Sequence, residues 1–221
     1  MDATVTSLNE QITALVSGMA KNAPPAVLAA LEREIRKLDE TGMAGKALKV
    51  GAKAPNFRLP NAQGGTFELS RQLSKGPVVV TFYRGGWCPF CDLTLRAYQA
   101  NLSDIRLLGA DLVAISPQTE DYSMSAVEKK ELKFPVLSDL RNAVARQYGI
   151  VFQLPDAWKE LQIKFGNPMP KFNGDESWEL PIPATFVLDR RGTVRLRHVD
   201  PDYRRRLEPD EVVRSLREIR G

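Results

Sequence analysis

The stretch VVVTFYRGGWCPFCDLTL, residues 78–95, decides the fold of this chain. Its first five residues are apolar or β-branched, which predicts a buried strand. Gly85 and Gly86 interrupt that pattern. The proline of the Cys-Pro-Phe-Cys sequence suits the first turn of a helix, where a missing backbone N–H costs nothing. We therefore expect a strand, a short turn and a helix, with both cysteines of the chain where the turn meets the helix.

Cys88 and Cys91 form a Cys-x-x-Cys pair at this junction. Such a pair can be two inert core residues, half of a zinc site or a redox-active dithiol. Zinc usually takes four ligands, and the chain has two Cys and one His in total, His198. The glycine break and the helix start favour the dithiol. Because a helix N-terminus stabilises a thiolate, we expect Cys88 to be the nucleophile and Cys91 its disulfide partner.

Composition narrows the possible functions. Of 221 residues, 43% are hydrophobic and 26% charged, with a net charge of +4, as in ordinary soluble proteins. Basic residues are scattered apart from arginines 204–206, which argues against nucleic-acid binding. No apolar stretch reaches the roughly 18 residues of a membrane span. The N-terminus lacks the basic start of a secretory signal, so we expect a cytoplasmic protein, in which a dithiol is more often catalytic than structural.

Residues 4–42 are predicted to form two helices, because apolar residues recur at helical spacing on both sides of Pro24 and Pro25. We interpret residues 1–45 as a helical extension and residues 46–221 as the main domain. The apolar face of the extension either caps the core of that domain or offers a surface for a homodimer. The sequence leaves both alternatives open.

The rest of the chain alternates strands with helices, which predicts an α/β fold with parallel strands at its centre. The predicted elements are a β-hairpin within 51–70, helices at 70–74, 89–109, 118–132, 142–148, 155–165 and 208–220, and strands at 78–82, 112–116, 136–137, 181–189 and 193–199. Residues 166–180 are predicted to form a long loop over the site. In that loop we expect Trp178 to pack inward near the dithiol while Asp175 and Glu176 face solvent.

The segment before the central strand resembles the opening of the AhpC/TSA peroxiredoxins, which read G-x-x-A-P-x-F-x-L followed by a glycine turn and L-S. The matching residues are Gly51, Ala54, Pro55, Phe57, Leu59, Gly64 and Leu69. The strand ending in Phe-Val-Leu-Asp at residues 186–189 resembles the closing hairpin of the same family. The resemblance covers about residues 50–220. It implies a thioredoxin-like fold of the peroxiredoxin type, with an N-terminal β-hairpin and a central mixed sheet flanked by helices.

The chain departs from that family at two places. Peroxiredoxins carry a Thr or Ser ahead of the peroxidatic cysteine, whereas here the residues from Arg84 to Trp87 precede Cys88. The arginine that the family keeps near its closing hairpin aligns with Pro183. At both places the chain resembles thioredoxin instead, which has a Trp before its Cys-x-x-Cys and a cis proline facing the dithiol. The peptide bond between Ile182 and Pro183 is therefore expected to be cis.

The two resemblances together imply a thiol-dependent peroxidase. Cys88 would attack a small peroxide, Cys91 would close the disulfide, and Arg84 would support the thiolate. Four residues are expected to contact the substrate: Trp87, Pro89, Pro183 and Thr185. An external dithiol such as thioredoxin is the expected reductant, with no metal or organic cofactor and no nucleic-acid or membrane partner. Two alternatives remain open: disulfide exchange with other proteins, and redox sensing without turnover.

Overall fold

The computed structural model describes residues 6–220. Eleven α-helices lie within that range: α1 Leu8–Asn22, α2 Pro25–Glu40, α3 Met43–Lys46, α4 Leu69–Leu73, α5 Pro89–Ala100, α6 Leu102–Leu107, α7 Glu120–Lys130, α8 Ala143–Gln147, α9 Asp156–Lys164, α10 Met169–Asn173 and α11 Pro209–Arg220. Nine strands accompany them: β1 Arg58–Pro60, β2 Thr66–Glu68, β3 Val78–Phe82, β4 Asp111–Ser116, β5 Val136–Ser138, β6 Val151–Gln153, β7 Glu179–Pro181, β8 Ala184–Leu188 and β9 Val194–Val199. None of the helices in this range is both long and apolar enough to cross a membrane.

A five-stranded mixed sheet in the order β5-β4-β3-β8-β9 forms the centre of the molecule. Strand β3 pairs in parallel with β4 and antiparallel with β8. Every residue of β3 and of β8 is buried, as expected for strands that are covered on both faces and consist of continuous apolar runs. The predicted thioredoxin-like α/β sheet is confirmed. It places the C-terminal end of β3, and hence the cysteines, at one end of the sheet.

The predicted N-terminal β-hairpin is also confirmed, as β1 and β2 with Leu59 opposite Phe67. Two other predictions need correction. The single helix expected over 89–109 is divided into α5 and α6 at Asn101, whose side-chain amide donates to the carbonyl of Ala97. The loop expected over 166–180 contains α10 and β7. Pro168 and Pro170 do not break structure there, because they occupy the start of α10, where proline is tolerated.

The strand predicted over 181–189 belongs to two sheets. Strand β7 pairs antiparallel with β6 in a small separate sheet, and the chain then continues into β8 of the central sheet. The Ile182 N–H donates to the Ile150 carbonyl at 2.7 Å. The peptide bond between Ile182 and Pro183 is trans, so the expected cis bond is wrong. A cis proline typically serves a tight turn, and no tight turn separates β7 from β8.

The two predicted N-terminal helices, α1 and α2, are present. Ser7 caps α1 in a reciprocal pair of hydrogen bonds with Glu10, and Pro25 occupies the first position of α2. Leu8, Ile12 and Ile35 are buried in the common hydrophobic core. One face of this hairpin therefore covers the main domain, as the first of the two alternatives predicted. A homodimer through its outer face stays a prediction.

Candidate active site

The turn from β3 into α5 carries the dithiol. Cys88 is the residue that caps α5, its N–H donates to the Gly85 carbonyl at 3.1 Å, and Pro89 begins the helix. Cys91 follows within the first helical turn. The predicted order of strand, turn and helix is confirmed, and it brings both sulfurs to the positive end of α5.

Glycine is required in this turn for lack of space. A Cβ atom on Gly85 would lie 2.3 Å from Nε1 of Trp87. The N–H of Gly86 donates to the side-chain oxygen of Gln118 at 2.7 Å. Together these contacts fix the position of the turn, and with it the position of Cys88.

Arg84 provides the first cation of the site. It is buried, and its Nη2 donates to the sulfur of Cys88 at 3.0 Å. Its guanidinium lies 4.1 Å from the ring centre of Tyr203 and 5.2 Å from that of Trp87. Burial alone would lower the pKa of Arg84, but the negative charge of the nearby sulfurs raises it. Arg84 is therefore a permanent cation held against Cys88, and its expected role in supporting the thiolate stays a prediction.

Arg206 is the second cation, and sequence analysis did not identify it. Its Nη2 lies 3.7 Å from the sulfur of Cys91, and its Nε donates to the Tyr203 carbonyl at 2.8 Å. The available signal was the run of three arginines at 204–206. Arg205 is exposed, whereas Arg206 is buried. Only the fold distinguishes the arginine that reaches the dithiol from its neighbours.

The two thiols differ in acidity. Both are free and have no exposed surface. Burial and the hydrogen bond to Cys91 raise the pKa of the Cys88 thiol, in spite of Arg84. Burial would also raise the pKa of Cys91, but the hydrogen bond from Cys88 and the cations Arg206 and Arg84 bring it well below its usual value. The two thiols are joined by a hydrogen bond and titrate as one pair, so the two cations together stabilise a single thiolate on that pair.

An ion pair lies next to the dithiol on α5. The ammonium of Lys130, on α7, lies 3.1 Å from Oδ1 of Asp92, and the Lys130 side chain is only 3% exposed. Burial raises the pKa of Asp92, while Lys130 opposes that shift. Because the carboxylate beside Cys91 is paired, its repulsion of a thiolate is reduced.

The other predicted site residues are placed as follows. Pro183 lies at the same end of the sheet as the cysteines, because its neighbour Ala184 pairs with Phe82, the last residue of β3. The hydroxyl of Thr185 is buried between those of Thr81 at 3.1 Å and Tyr98 at 3.2 Å. That arrangement ties β8 to β3 and α5, so Thr185 has a structural partner on each side.

A cavity of about 270 Å³ adjoins the dithiol. Its lining consists of Met19, Leu31, Arg84, Trp87, Pro89, Phe90, Trp158, Gln162, Phe165, Asn167 and Tyr203. The predicted residues Trp87 and Pro89 therefore lie at its wall.

Trp178 does not line this cavity, and its backbone carbonyl instead accepts a hydrogen bond from the N–H of Leu154, next to β6. The expectation that Trp178 covers the site is wrong, because Trp158 occupies that place. Glu176 is exposed as expected, but Asp175 is half-buried.

Residues 50–197 match the model of the AhpC/TSA family. Among curated proteins, chloroplastic peroxiredoxin Q of Triticum aestivum is 28% identical over 173 residues, which is 78% of this chain and 69% of that protein.

Solved structures of related proteins agree with this family match. The crystal structure of peroxidoxin BcpB from Mycobacterium tuberculosis superposes with a TM-score of 0.62 at 25% identity, over 79% of this chain and 99% of that one. Peroxiredoxin Q of Xanthomonas campestris superposes with a TM-score of 0.57 at 18% identity, over 75% of this chain and 92% of that one. At that identity the second similarity shows the fold alone. The family model matches about two thirds of the chain, and the buried dithiol lies at the expected end of a thioredoxin-like sheet. The chain therefore belongs to the AhpC/TSA family of thiol-dependent peroxidases.

Proposed function

We propose that this protein reduces peroxides through a Cys88–Cys91 dithiol–disulfide cycle that begins with attack by the thiolate of this pair. The observation that carries the proposal is the pair of buried guanidiniums, Arg84 and Arg206, on the two sulfurs. Both cations lie in a site with little solvent, where an electrostatic interaction is stronger than in water. They stabilise the thiolate before the reaction and the negative charge that develops on the departing oxygen during it.

The proposed cycle has three steps: attack on the peroxide, formation of the disulfide and reduction of the disulfide. The thiolate sulfur of the pair attacks one oxygen of a peroxide R–O–O–H, the O–O bond breaks, and that sulfur becomes a sulfenic acid. The departing RO⁻ takes a proton and leaves as ROH, or as water when R is hydrogen. The remaining thiol of the pair then condenses with the sulfenic acid, which releases water and forms the Cys88–Cys91 disulfide. An external dithiol such as thioredoxin reduces that disulfide by thiol–disulfide exchange, which restores both thiols and leaves the external dithiol oxidised.

Burial of the sulfurs favours a small substrate. Exchange with a protein disulfide requires a sulfur that the partner can reach, and both sulfurs have 0% exposure in the reduced state. A peroxide needs only a narrow path, for which the cavity beside Arg84 is available. The oxidised pair must then become exposed before a protein dithiol can reduce it. We place the cycle in the cytoplasm, where such reductants keep thiols reduced.

Stopped-flow mixing of the reduced protein with hydrogen peroxide tests the proposal. We expect consumption of one peroxide per dithiol and a disulfide within one chain, seen as monomer-sized protein on a non-reducing gel. An insulin-reduction assay run in parallel tests the alternative of disulfide exchange. Reduction of insulin without consumption of peroxide would refute the proposal, and inactivity in both assays would favour a sensing role. A quantitative disulfide-linked dimer would show that the two cysteines do not resolve each other.

A further inference from the structure

A cleft runs between the N-terminal helical hairpin, α1 and α2, and the body of the protein. The cavity beside Arg84 forms its first part, and a second cavity of about 140 Å³ forms the rest. Both cavities are lined by Met19 and Leu31 from the hairpin and by Phe90 and Tyr203 from the body. Because they share these four walls, the two cavities are adjoining parts of one space, which we call the hairpin cleft.

The hairpin is fixed to the body on both of its helices. The carboxylate of Glu208 accepts hydrogen bonds from the N–H groups of Leu8 at 3.2 Å and Asn9 at 2.7 Å, at the positive end of α1. On α2, Glu32 forms an ion pair with Arg204, which also pairs with Asp202. Arg204 lies in the same turn as Tyr203 and Arg206. These contacts therefore fix the position of the cleft walls relative to Arg206, the second cation of the site.

The lining of the first cavity has two distinct parts. Among the described residues that line it, Arg84 is the only one with a charged side chain, and its guanidinium contacts Cys88. Away from Arg84 the walls are mainly aliphatic and aromatic, from Met19, Leu31, Phe90 and Trp158. At about 270 Å³ the space approaches the lower end of the roughly 300–1,000 Å³ typical of small-molecule pockets. Hydrogen peroxide, with two heavy atoms, would leave most of it unused.

We propose that the hairpin cleft binds the apolar substituent of an organic hydroperoxide and that Met19 and Leu31 determine this specificity. The peroxide group would lie at Arg84 and the substituent along the hairpin, so that R–O–O–H leaves as the alcohol R–OH. The inference rests on the proposed peroxidase function. It assigns substrate selection to a part of the chain that precedes the family match, which begins at residue 50.

Filling the cleft tests the inference. Leu31→Trp and Met19→Trp each place a bulky ring in the space that the substituent would occupy. We expect the rate constant for cumene hydroperoxide to fall about tenfold or more relative to that for hydrogen peroxide, the size of effect that an apolar pocket typically provides. Ala14→Trp, at an exposed position of α1, is the matched control and should leave the ratio unchanged. The hydrogen peroxide rate of each variant reports whether its site has remained intact.

A second measurement does not depend on turnover. Calorimetric titration with 2-phenyl-2-propanol, the alcohol that cumene hydroperoxide would yield, should show binding to the wild type and to Ala14→Trp but weaker binding to both filling variants. An unchanged rate ratio together with unchanged alcohol binding in both filling variants would overturn the inference. A wild type that consumes neither peroxide would instead refute the proposed function, and the alcohol titration would then decide on the cleft alone.

Discussion

Nη2 of Arg206 lies 3.7 Å from the sulfur of Cys91, although 115 residues separate them in the chain. Arg84 makes the corresponding contact with Cys88 from only four residues away. One cation thus comes from the turn between β3 and the dithiol, and the other from the segment between β9 and α11. The distant arginine accompanies the sulfur whose pKa is lowered.

Replacing Arg206 should slow the reaction with peroxide near neutral pH. In Arg206→Gln the cation beside Cys91 is lost, so the pKa of the thiol rises and less thiolate is present at about pH 6.5. We expect the rate constant for hydrogen peroxide to fall about tenfold or more, in line with the loss of one charge-stabilising donor. The difference from the wild type should shrink as the pH rises toward the higher pKa of the thiol in the variant, because both proteins then carry the thiolate.

Arg205→Gln is the matched control, because Arg205 belongs to the same turn and is exposed. It should retain the wild-type rate and pH profile. Equal losses in the two variants, or a loss in Arg206→Gln that does not vary with pH, would show that Arg206 acts on the fold rather than on Cys91.

The roles of the two cysteines can be separated by single substitutions. Cys88→Ser keeps a hydroxyl that can donate to Cys91, so we expect rapid reaction with peroxide and a sulfenic acid that persists for lack of a resolving thiol. Cys91→Ser should react slowly, because burial raises the pKa of Cys88. Trapping with dimedone followed by peptide mapping measures both outcomes. Rapid sulfenic acid formation on Cys88 in Cys91→Ser, together with slow reaction of Cys88→Ser, would identify Cys88 as the nucleophile, as the sequence predicts.

The part of the site that sequence analysis predicted is the part determined by neighbouring residues. The apolar run at residues 78–82, the glycine pair and Cys88-Pro89 encode strand, turn and helix within 18 residues. Arg206 could not be found in this way, because nothing local distinguishes it from Arg205. Its place follows from the pairing of β8 with β9 and from the turn that comes after them.

The two tryptophans of the segment after β6 show a second limit. Trp158 and Trp178 both lie in a proline- and glycine-rich stretch, in which the sequence predicted a helix over 155–165 and a loop over 166–180. The antiparallel pairing of β6 with β7 holds Trp178 beside Leu154, whereas α9 carries Trp158 to Tyr203, with ring centres 5.7 Å apart. Such short strands depend on tertiary contacts, so their pairing could not be predicted from residue preference.

The lowered pKa of Cys91 also predicts how the stability of the reduced protein depends on pH. A thiol that ionises more readily in the folded state stabilises that state above its unfolded pKa of about 8.5, and the contribution is lost as the pH falls through the lowered folded pKa. The free energy of unfolding should therefore rise with pH toward about 8.5, by at most about 1.4 kcal/mol per pH unit for one proton. Cys88, with its raised pKa, is protonated in both states below about 8.5 and contributes nothing there.

Urea unfolding of the reduced protein at several pH values measures this effect. The part of the slope that belongs to Cys91 should disappear in Cys91→Ser and remain in Cys88→Ser. The same slope in all three proteins would contradict a lowered pKa at Cys91, because other groups would then account for it.

Gly85→Ala should disturb the site through the indole of Trp87. The new Cβ would lie 2.3 Å from Nε1 and 2.7 Å from Cδ1 of that ring, at a residue with φ of +153°. Trp87 cannot retain its position, and Arg84, whose guanidinium lies 5.2 Å from the ring centre, loses that contact. We expect the free energy of unfolding to fall by about 1–3 kcal/mol, as for other overpacked positions, and the rate with hydrogen peroxide to fall with it.

Gly64→Ala separates the clash from backbone strain, because Gly64 has φ of +101° and open space where its Cβ would lie. That variant should lose stability through strain alone and keep the wild-type peroxide rate. If Gly85→Ala retains the wild-type rate and tryptophan fluorescence, the turn has room that the structure does not show, and the position of Cys88 does not depend on Gly85.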